Sequence, residues 1–272
     1  LGTGGRSTPN VRATEIELYE GLDARPVNCW PSAAFDLGAV NGLLSPFLAA
    51  GFYYKTFMWP HWHLFEGPIR RAAGIGRAAD APDPDRYETA FARYDTVVVG
   101  AGPAGIAAAL TAASKGGRVA LVEQDHLLGG SLIYEGEVIQ GRTGAEWLAN
   151  ARERLAAAGV DVRLRTTVTG CFDHGALAML ERIASDVTEG QAESALRYRL
   201  WQVRVDQIVL ATGAIERPLV FPGNDRPGLM LASAMRHYVR RHAALPGTCA
   251  VLFANNDAAW RTADVLIEAG IR

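Results

Sequence analysis

Short apolar runs and longer amphipathic stretches alternate along the chain from residue 95 onward. Asp95 to Val99 is a β-branched run, Ala104 to Lys115 is an alanine-rich helical stretch, and Arg118 to Val122 is a second apolar run. A strand, a helix and a strand in this order are typical of a βαβ unit with parallel strands. The pattern therefore predicts an α/β fold with a Rossmann-like arrangement.

The pattern continues with another helix and further strands. Thr143 and Glu146 have the Thr-x-x-Glu spacing of a capping box, and Gly159 is suited to end the helix that they begin. Later strands are predicted at Asp161 to Val168, at Tyr198 to Val205, at Gln207 to Ala211 and, after Pro246 and Gly247, at Cys249 to Ala254, which leads into a helix that reaches Ala269.

The first 90 residues lack this alternation. Residues 11–20 have the partial period-two pattern of a short strand, and residues 52–65 are rich in aromatic side chains with Pro60 among them. Residues 78–86 are the best linker candidate. The predicted organisation is an irregular, aromatic-rich N-terminal segment at residues 1–90 that packs on a partner subunit or on the nucleotide domain, a dinucleotide-binding domain at residues 91–246, and the truncated start of a second Rossmann unit at residues 247–272.

Three glycines between the first predicted strand and its helix follow the G-x-G-x-x-G pattern. Gly100 permits a tight turn, Gly102 lets a diphosphate approach the backbone, and Gly105 allows the helix to pack closely on the strand. Free amides at the start of the helix would then face the phosphates. The motif is informative because its strand and helix context is present, and it predicts a dinucleotide site.

Two further signals support this prediction. Glu123 ends the second strand at about the spacing from the glycines at which an acidic side chain binds an adenosine ribose, and it would repel a 2′-phosphate. Gly129 and Gly130 follow it, in the manner of the extended fingerprint of FAD-containing proteins with two dinucleotide folds. A later strand ends in Thr212 and Gly213, which resemble the crossover motif of the same flavoproteins.

A second fingerprint at the end of the chain is degenerate. Ala254, Asn256 and Ala259 occupy the three glycine positions there. An Asn side chain at the middle position obstructs the approach of a diphosphate. We expect a retained nucleotide fold in which ligand binding is doubtful.

Composition excludes several classes of partner. The chain has 27 Lys and Arg against 29 Asp and Glu, a formal net charge of −2, so it has no overall field that would recruit nucleic acid or an anionic membrane. Glycines and a proline interrupt the most apolar window, so no membrane span is predicted. Without a signal-peptide pattern, a cytoplasmic location is the default expectation.

Catalytic and metal signals are weak. The cysteines form no Cys-x-x-Cys pair, and His61 and His63 lack a further ligand at suitable spacing, so no metal and no catalytic acid, base or nucleophile is predicted. Glu216 and Arg217 could contact a cofactor or form a salt bridge. A basic helical stretch holds His237, His242, Arg236, Arg240 and Arg241. We expect this stretch to be a solvated face rather than a phosphate grip.

The chain is similar over essentially its whole length to the alpha subunits of the heterotetrameric sarcosine oxidase family. The resemblance is carried by the Gly100 fingerprint, by Arg12-Ala-Thr-Glu-Ile-Glu-Leu-Tyr, by Gly51-Phe-Tyr-Tyr-Lys-Thr-Phe-Met-Trp-Pro and by Leu210-Ala-Thr-Gly-Ala-Ile-Glu-Arg-Pro-Leu-Val-Phe. It implies an oxidoreductase subunit that acts in the oxidative demethylation of sarcosine to glycine, with the one-carbon unit passed to tetrahydrofolate. It also implies beta, gamma and delta partner subunits, with FAD and covalent FMN on or shared with the beta subunit.

The same resemblance implies how the cleft is occupied. NAD+ would lie where related reductases hold FAD. The implied contacts are Ala104 and Ser131 beside the diphosphate, Glu123 on the adenosine ribose, Gln124 and Asp125 near that ribose, and the backbone of Val168 against adenine. Asp125 departs from the family pattern, because a basic residue is expected there in some members. The folate-binding half is absent, Leu1 is not an initiator methionine, and we expect a fragment of a longer polypeptide.

Other interpretations stay open. The chain could be an FAD-dependent NAD(P)H oxidoreductase of the thioredoxin-reductase-like group, although the missing Cys-x-x-Cys and the Asn-substituted second fingerprint count against it. It could be the large subunit of an amine oxidase, opine oxidase or cyanide-forming complex. It could also be a non-catalytic scaffold with a vestigial nucleotide fold.

Overall fold

The computed structural model describes residues 2–3, 6–7, 10–11, 16–27, 29–32, 34–44, 57–75, 85–183, 196–224, 226 and 228–272. The chain divides into two compact units, one formed by Leu1–Tyr87 with Ala184–Arg197 and the other by Glu88–Ile183 with Tyr198–Arg272. A division at residues 90 and 246 stays a prediction.

The first unit contains little regular structure in its described part. Strands β1 (Gly2–Thr3) and β2 (Arg6–Ser7) form a two-stranded antiparallel sheet, a 3-10 helix covers Leu37–Leu44, and α1 covers His63–Ala72. Of the strand predicted at residues 11–20, residues 12–15 lie outside the described residues and residues 16–20 form no strand. Most of the predicted linker at residues 78–86 also lies outside them.

The second unit carries the predicted βαβ pattern. In chain order its elements are β3 (Arg86–Val99), α2 (Pro103–Ser114), β4 (Val119–Val122), α3 (Leu132–Glu135), β5 (Val138–Ile139), β6 (Arg142–Thr143), α4 (Gly144–Ala157), β7 (Asp161–Arg163), β8 (Thr166–Phe172), β9 (Ala176–Arg182), β10 (Leu196–Leu210), α5 (Ala232–His242) and α6 (Ala258–Glu268). The fold class predicted from the sequence, an α/β Rossmann-like fold, is confirmed.

One mixed sheet organises this unit, with strand order β7-β4-β3-β10-β9-β8. Strands β7, β4 and β3 are parallel, and β10, β9 and β8 pair antiparallel. At the end of β10 the backbone N–H of Ala211 donates to the carbonyl oxygen of Val99 at 2.8 Å. The segment that follows β10 is thereby held beside the carboxyl end of β3, where dinucleotides bind in folds of this class.

Alternation along the central strands gives the sheet a core on each face. Val98 and Leu121 face one side and pack with residues of α2 and α4, such as Ile106 and Leu155. Their neighbours Val97 and Ala120 belong to the other cluster, with Met179 and Val203. Successive strand side chains point to opposite faces, so a continuous apolar run is buried on both sides.

Several element boundaries differ from the prediction. The two strands predicted at Tyr198 to Val205 and Gln207 to Ala211 are one strand, β10. The strand predicted at Asp161 to Val168 is divided into β7 and β8, and the division falls around Arg165, whose φ is +51°. The strand predicted at Cys249 to Ala254 is wrong, although α6 follows as expected. Among the described residues, the backbone of this segment makes one hydrogen bond, from the N–H of Ala250 to the carbonyl oxygen of Arg272 at 2.7 Å, and a strand needs a ladder of such bonds.

Truncation of a core leucine should destabilise the second unit. Leu155 on α4 is 1% exposed, so Leu155→Ala leaves a cavity and should lower the free energy of unfolding by about 2–5 kcal/mol in urea denaturation. Leu210→Ala is the matched control, because Leu210 is 74% exposed and its loss should change stability by less than about 0.5 kcal/mol. Equal effects from the two changes would contradict the assigned core.

Candidate functional site

Two fingerprint glycines are required by close backbone packing. Gly100 has φ +99°, and a Cβ atom there would lie 2.4 Å from the carbonyl oxygen of Ala211. A Cβ atom at Gly105 would lie 1.8 Å from the carbonyl oxygen of Gly100. Because backbone atoms cannot give way by such amounts, only glycine fits at either position. Helix α2 therefore begins directly against the end of β3.

Gly102 is glycine for a different reason. It is the N-cap of α2, with an ordinary φ of −70°, and a Cβ atom there would meet nothing within 4 Å among the described residues. Protein packing therefore does not demand glycine at this position. Gly130 faces it, with φ +53° and an imagined Cβ atom 3.1 Å from the Cα of Gly102. The backbones of the two residues are therefore in close contact, and together they border a crevice at the N-terminus of a 12-residue helix, where helix-terminal amides favour an anion.

Glu123 is fixed beside this crevice by two backbone amides. Its Oε2 accepts from the N–H of Ala101 at 2.7 Å, and its Oε1 accepts from the N–H of Asp125 at 3.0 Å. Each carboxylate oxygen has a second lone pair, so the side chain can still accept from the hydroxyls of a ribose. The carboxylate is thus both oriented by the fold and available to a ligand.

These features open into one cleft of about 1620 Å³ on the second unit. Of the predicted site residues, the structure brings the following to its wall: Gly100, Gly102, Ala104, Glu123, Gln124, Asp125, Gly130, Ser131, Val168, Thr212 and Gly213. Gly105 does not line the cleft, because it is buried behind the turn where α2 contacts β3. Its function is packing rather than ligand contact.

Residues of α5 also line the cleft, although their sequence predicts a face exposed to solvent. That expectation is wrong, because Arg236 is 8% exposed and the side chain of Arg241 is 13% exposed. Arg236 donates to both carboxylate oxygens of Glu135, at 2.7 and 2.9 Å, and to the hydroxyl of Thr262 at 2.5 Å. One guanidinium therefore ties α5 to both α3 and α6.

Arg241 makes the second ionic contact of α5. Its guanidinium binds both carboxylate oxygens of Asp125, at 2.5 and 2.8 Å. Burial alone would raise the pKa of Asp125, but the hydrogen bond and the positive charge of Arg241 lower it below its usual value. The hydrogen bond with Asp125 in turn raises the pKa of Arg241. Both groups are therefore charged at neutral pH.

A histidine lies next to these pairs. The ring of His237 is 4.6 Å from that of Tyr134 and 4.9 Å from that of His242, measured between centroids. Burial, with the positive charge of Arg241, lowers the pKa of His237, so the imidazole is neutral at pH 7. Its Nε2 is buried and meets no donor or acceptor among the described residues.

Glu216 has a structural role that the sequence did not indicate. Its carboxylate accepts from the backbone N–H of Ser233 at 2.8 Å, in the first turn of α5. Burial would raise the pKa of Glu216, but this backbone hydrogen bond lowers it. Since Leu231 at the N-cap has no polar side chain, Glu216 supplies the capping oxygen from a distant segment. It acts as a helix cap rather than as half of a salt bridge.

In the degenerate second fingerprint, the side chain of Asn256 caps the start of α6. Asn256 stands where the middle glycine would be, and its Oδ1 accepts from the backbone N–H of Ala258 at 3.0 Å. That amide opens α6 and is one of those that would face a diphosphate. The side chain of Asn256 therefore already satisfies this amide, and doubtful ligand binding at the second fingerprint stays a prediction.

The lining of the cleft also includes apolar side chains. Phe221 and Phe253 meet edge to face with ring centroids 5.5 Å apart, and Leu229 and Met230 belong to the same lining. The cleft therefore combines the carboxylate of Glu123 with aromatic and aliphatic surface, as is usual for sites that bind small molecules.

The family model described as pyridine nucleotide-disulphide oxidoreductase matches residues 94–251, which include the fingerprint, Glu123 and the whole of α5. The chain belongs to the pyridine nucleotide-disulphide oxidoreductase family. The prediction that it is part of an oxidoreductase family is therefore confirmed.

Curated relatives extend the similarity beyond the matched region. The sarcosine oxidase alpha subunit of Rhizobium meliloti (strain 1021) is 50% identical over 275 residues, which is 100% of this chain and 28% of the relative. An opine oxidase subunit of Agrobacterium tumefaciens (strain Ach5) is 31% identical over 188 residues, which is 65% of this chain and 35% of the relative. The resemblance to sarcosine oxidase alpha subunits is thus confirmed, and the chain spans only 28% and 35% of the lengths of these two relatives.

A solved structure shares the fold of this oxidoreductase chain. The L-proline dehydrogenase from P. horikoshii superposes with a TM-score of 0.55 at 24% sequence identity, covering 69% of this chain and 35% of that one.

Within the described residues, no helix has the length and apolar character to cross a membrane.

Removal of the buried arginine of α5 should be far more costly than removal of its exposed neighbour. Arg236→Met leaves Glu135 buried without a cation and should lower the free energy of unfolding by about 3–5 kcal/mol. Arg240→Met is the control, since Arg240 pairs with the exposed Glu268 and should cost no more than about 1 kcal/mol.

Urea denaturation monitored by circular dichroism measures both changes. The double variant Glu135→Gln, Arg236→Met should recover part of the loss, because no buried charge is then left alone. Similar costs for Arg236→Met and Arg240→Met would show that Arg236 is not the buried link between helices.

Proposed function

We propose that the cleft binds the adenosine diphosphate half of a dinucleotide, and that the dinucleotide is NAD+. The bare main chain of Gly102 and Gly130, which lines this cleft, carries the proposal. Gly102 lies at the N-terminus of α2 and beside the oriented carboxylate of Glu123, and no contact with the described residues requires glycine there. A diphosphate that needs the space of a Cβ atom would explain the glycine.

Each part of the cleft has a matching part of the ligand. The amides that open α2, with Ala104 and Ser131 beside them, would hold the diphosphate. Glu123 would accept hydrogen bonds from the hydroxyls of the adenosine ribose, next to Gln124. The backbone near Val168 would border adenine, and Thr212 and Gly213 would lie along the far half of the ligand.

When bound, a nicotinamide dinucleotide supplies hydride-transfer chemistry, and the residues of this chain bind and orient it. None of the side chains brought to the cleft forms a pair of general acid and base within the described residues. We therefore assign the nucleotide a mainly structural or weakly redox function in this unit.

The whole protein is proposed to be the alpha subunit of a sarcosine-oxidase-like complex. The support is the 50% identity to a sarcosine oxidase alpha subunit, whose name assigns sarcosine oxidation to that relative. In this proposal beta, gamma and delta subunits assemble with the chain, FAD and FMN react on the beta subunit or at its interface, and tetrahydrofolate receives the one-carbon unit. A cytoplasmic location belongs to the same proposal.

FAD in the same cleft is the second candidate. The apolar side chains in the lining, Phe221 and Phe253 among them, favour it, because an isoalloxazine ring is larger and more apolar than nicotinamide. The same glycines and Glu123 would hold the adenosine half of either molecule, so the geometry of these residues does not discriminate between the two molecules.

Identification of the released nucleotide separates these candidates. The purified protein is denatured, and the supernatant is analysed by chromatography and mass spectrometry. Release of NAD+ supports the first proposal and FAD the second. Release of neither, together with no binding of added NAD+ or FAD in calorimetry, would leave a scaffold with a vestigial nucleotide fold.

Substitution of Gly102 should remove the ligand without unfolding the protein. In Gly102→Leu the new side chain meets open space in the protein but fills the crevice, so bound nucleotide should fall to roughly a tenth or less while the thermal midpoint changes little. Gly67→Leu is the matched control, because Gly67 in α1 also has nothing within 4 Å of its imagined Cβ atom among the described residues. Undiminished nucleotide in Gly102→Leu would contradict the placement of the diphosphate.

A further inference from the structure

Asp125 and Arg241 form an ion pair at the edge of the proposed ribose site. Asp125 follows Glu123 by two residues in the loop after β4, and Arg241 lies in the last turn of α5. The two guanidinium nitrogens that bind the carboxylate lie 2.5 and 2.8 Å from its oxygens. This is the paired geometry in which a guanidinium binds either a carboxylate or a phosphate.

The carboxylate is held in place by its own loop. Oδ1 of Asp125 accepts from the backbone N–H of His126 at 2.7 Å, and Nδ1 of the same histidine lies 2.9 Å from that oxygen. The loop therefore orients the carboxylate of Asp125 independently of Arg241. The arginine comes from an element 116 residues away, and its two terminal nitrogens are both engaged by the carboxylate.

This arrangement sets the charge around a ribose bound by Glu123. Glu123 and Asp125 are two negative charges, and Arg241 is one positive charge that is already neutralised by Asp125. The neighbouring cation of α5, Arg236, is held by Glu135 in the same paired manner. Of Glu123, Asp125 and Arg241, two are negative and one is positive, and both of these arginines of α5 are engaged by carboxylates.

We propose that Asp125 is a specificity-determining residue, which by holding Arg241 keeps its guanidinium from binding a phosphate in the cleft and so excludes dinucleotides that carry a 2′-phosphate on the adenosine ribose. The inference rests on the proposed function, because it assumes that the adenosine ribose lies at Glu123. It goes beyond the repulsion by Glu123 itself, because it assigns the exclusion to a pair of residues from two distant segments.

The proposal predicts a gain of binding rather than a loss. In Asp125→Asn the neutral amide cannot hold Arg241 by charge, so the guanidinium can turn to a phosphate group of about −1.5 to −2 charges. Glu123 still repels that phosphate, so the gain should be limited. We expect the affinity for the phosphorylated ligand to rise about tenfold.

The experiment compares the affinities of the purified protein for ADP-ribose and 2′-phospho-ADP-ribose, measured by calorimetric titration. Where nucleotide co-purifies with the protein, each ligand is titrated as a competitor that displaces it. The wild-type protein should bind ADP-ribose and strongly prefer it. Asp125→Asn should bind the 2′-phosphorylated ligand about tenfold more tightly than the wild type does, with the gain weakened by added salt. The double variant Asp125→Asn, Arg241→Gln should lose that gain.

A matched control removes the same charge elsewhere. Glu268 pairs with Arg240 at 3.2 Å, and neither residue lines the cleft, so Glu268→Gln removes one negative charge beside α5 without changing the site. It should leave the preference between the two ligands unchanged. Thermal melting checks that each variant is folded, and Asp125→Ser serves as a second variant where Asp125→Asn is not.

The outcomes separate this inference from the function on which it rests. If folded Asp125→Asn and Asp125→Ser bind ADP-ribose but gain no affinity for the phosphorylated ligand, or if the gain survives in the double variant, the proposed function stands and Asp125 is not the determinant. An equal gain in affinity for the 2′-phosphorylated ligand in Glu268→Gln would show that the effect comes from the net charge of the protein, and it would contradict the role of Asp125. If the wild-type protein binds neither ligand, the proposed function is overturned and the inference with it.

Discussion

The contact between the start of α2 and the two backbone segments beside it is the constraint on which the rest of the structure depends. A carbonyl oxygen from Gly100 stands 1.8 Å from the place where Gly105 would carry a Cβ atom, and that of Ala211 stands 2.4 Å from the corresponding place at Gly100. The chain can approach itself this closely only because both side chains are hydrogen atoms. The helix terminus, the end of β3 and the segment after β10 meet at one point for this reason, and the cleft opens there.

The two walls of the cleft are built on different physical principles. The wall around Gly102 is bare backbone, set by steric exclusion and therefore insensitive to salt. The wall formed by α5 is ionic, with Arg236 on Glu135 and Arg241 on Asp125. Such pairs depend on partial burial, since exposed pairs of the same kind contribute little. In the proposed function, the rigid wall would hold the diphosphate, and the charged wall would discriminate between the groups attached to it.

The sequence predicts the β3-α2-β4 unit well because its determinants are local. Glycine spacing, a β-branched run and a capping box all act within a few residues of one another. The function of α5 could not be predicted, because Arg236 and Arg241 find their carboxylates 101 and 116 residues away, and a helix rich in arginine has the same pattern whether it faces water or a partner. The prediction of a strand at Cys249 to Ala254 is wrong for a related reason. An apolar segment forms a strand only where a neighbouring strand pairs with it, and the local sequence does not specify that neighbour.

The cap that Asn256 places on α6 has a thermodynamic consequence. A helix whose terminal amides await a ligand gains stability when that ligand binds, by an amount that grows with ligand concentration. An amide that a neighbouring side chain already satisfies gains no such bond. The N–H of Ala258 is paired with Asn256 whether or not any ligand is present, so this contribution to the order of α6 does not vary with the concentration of a nucleotide.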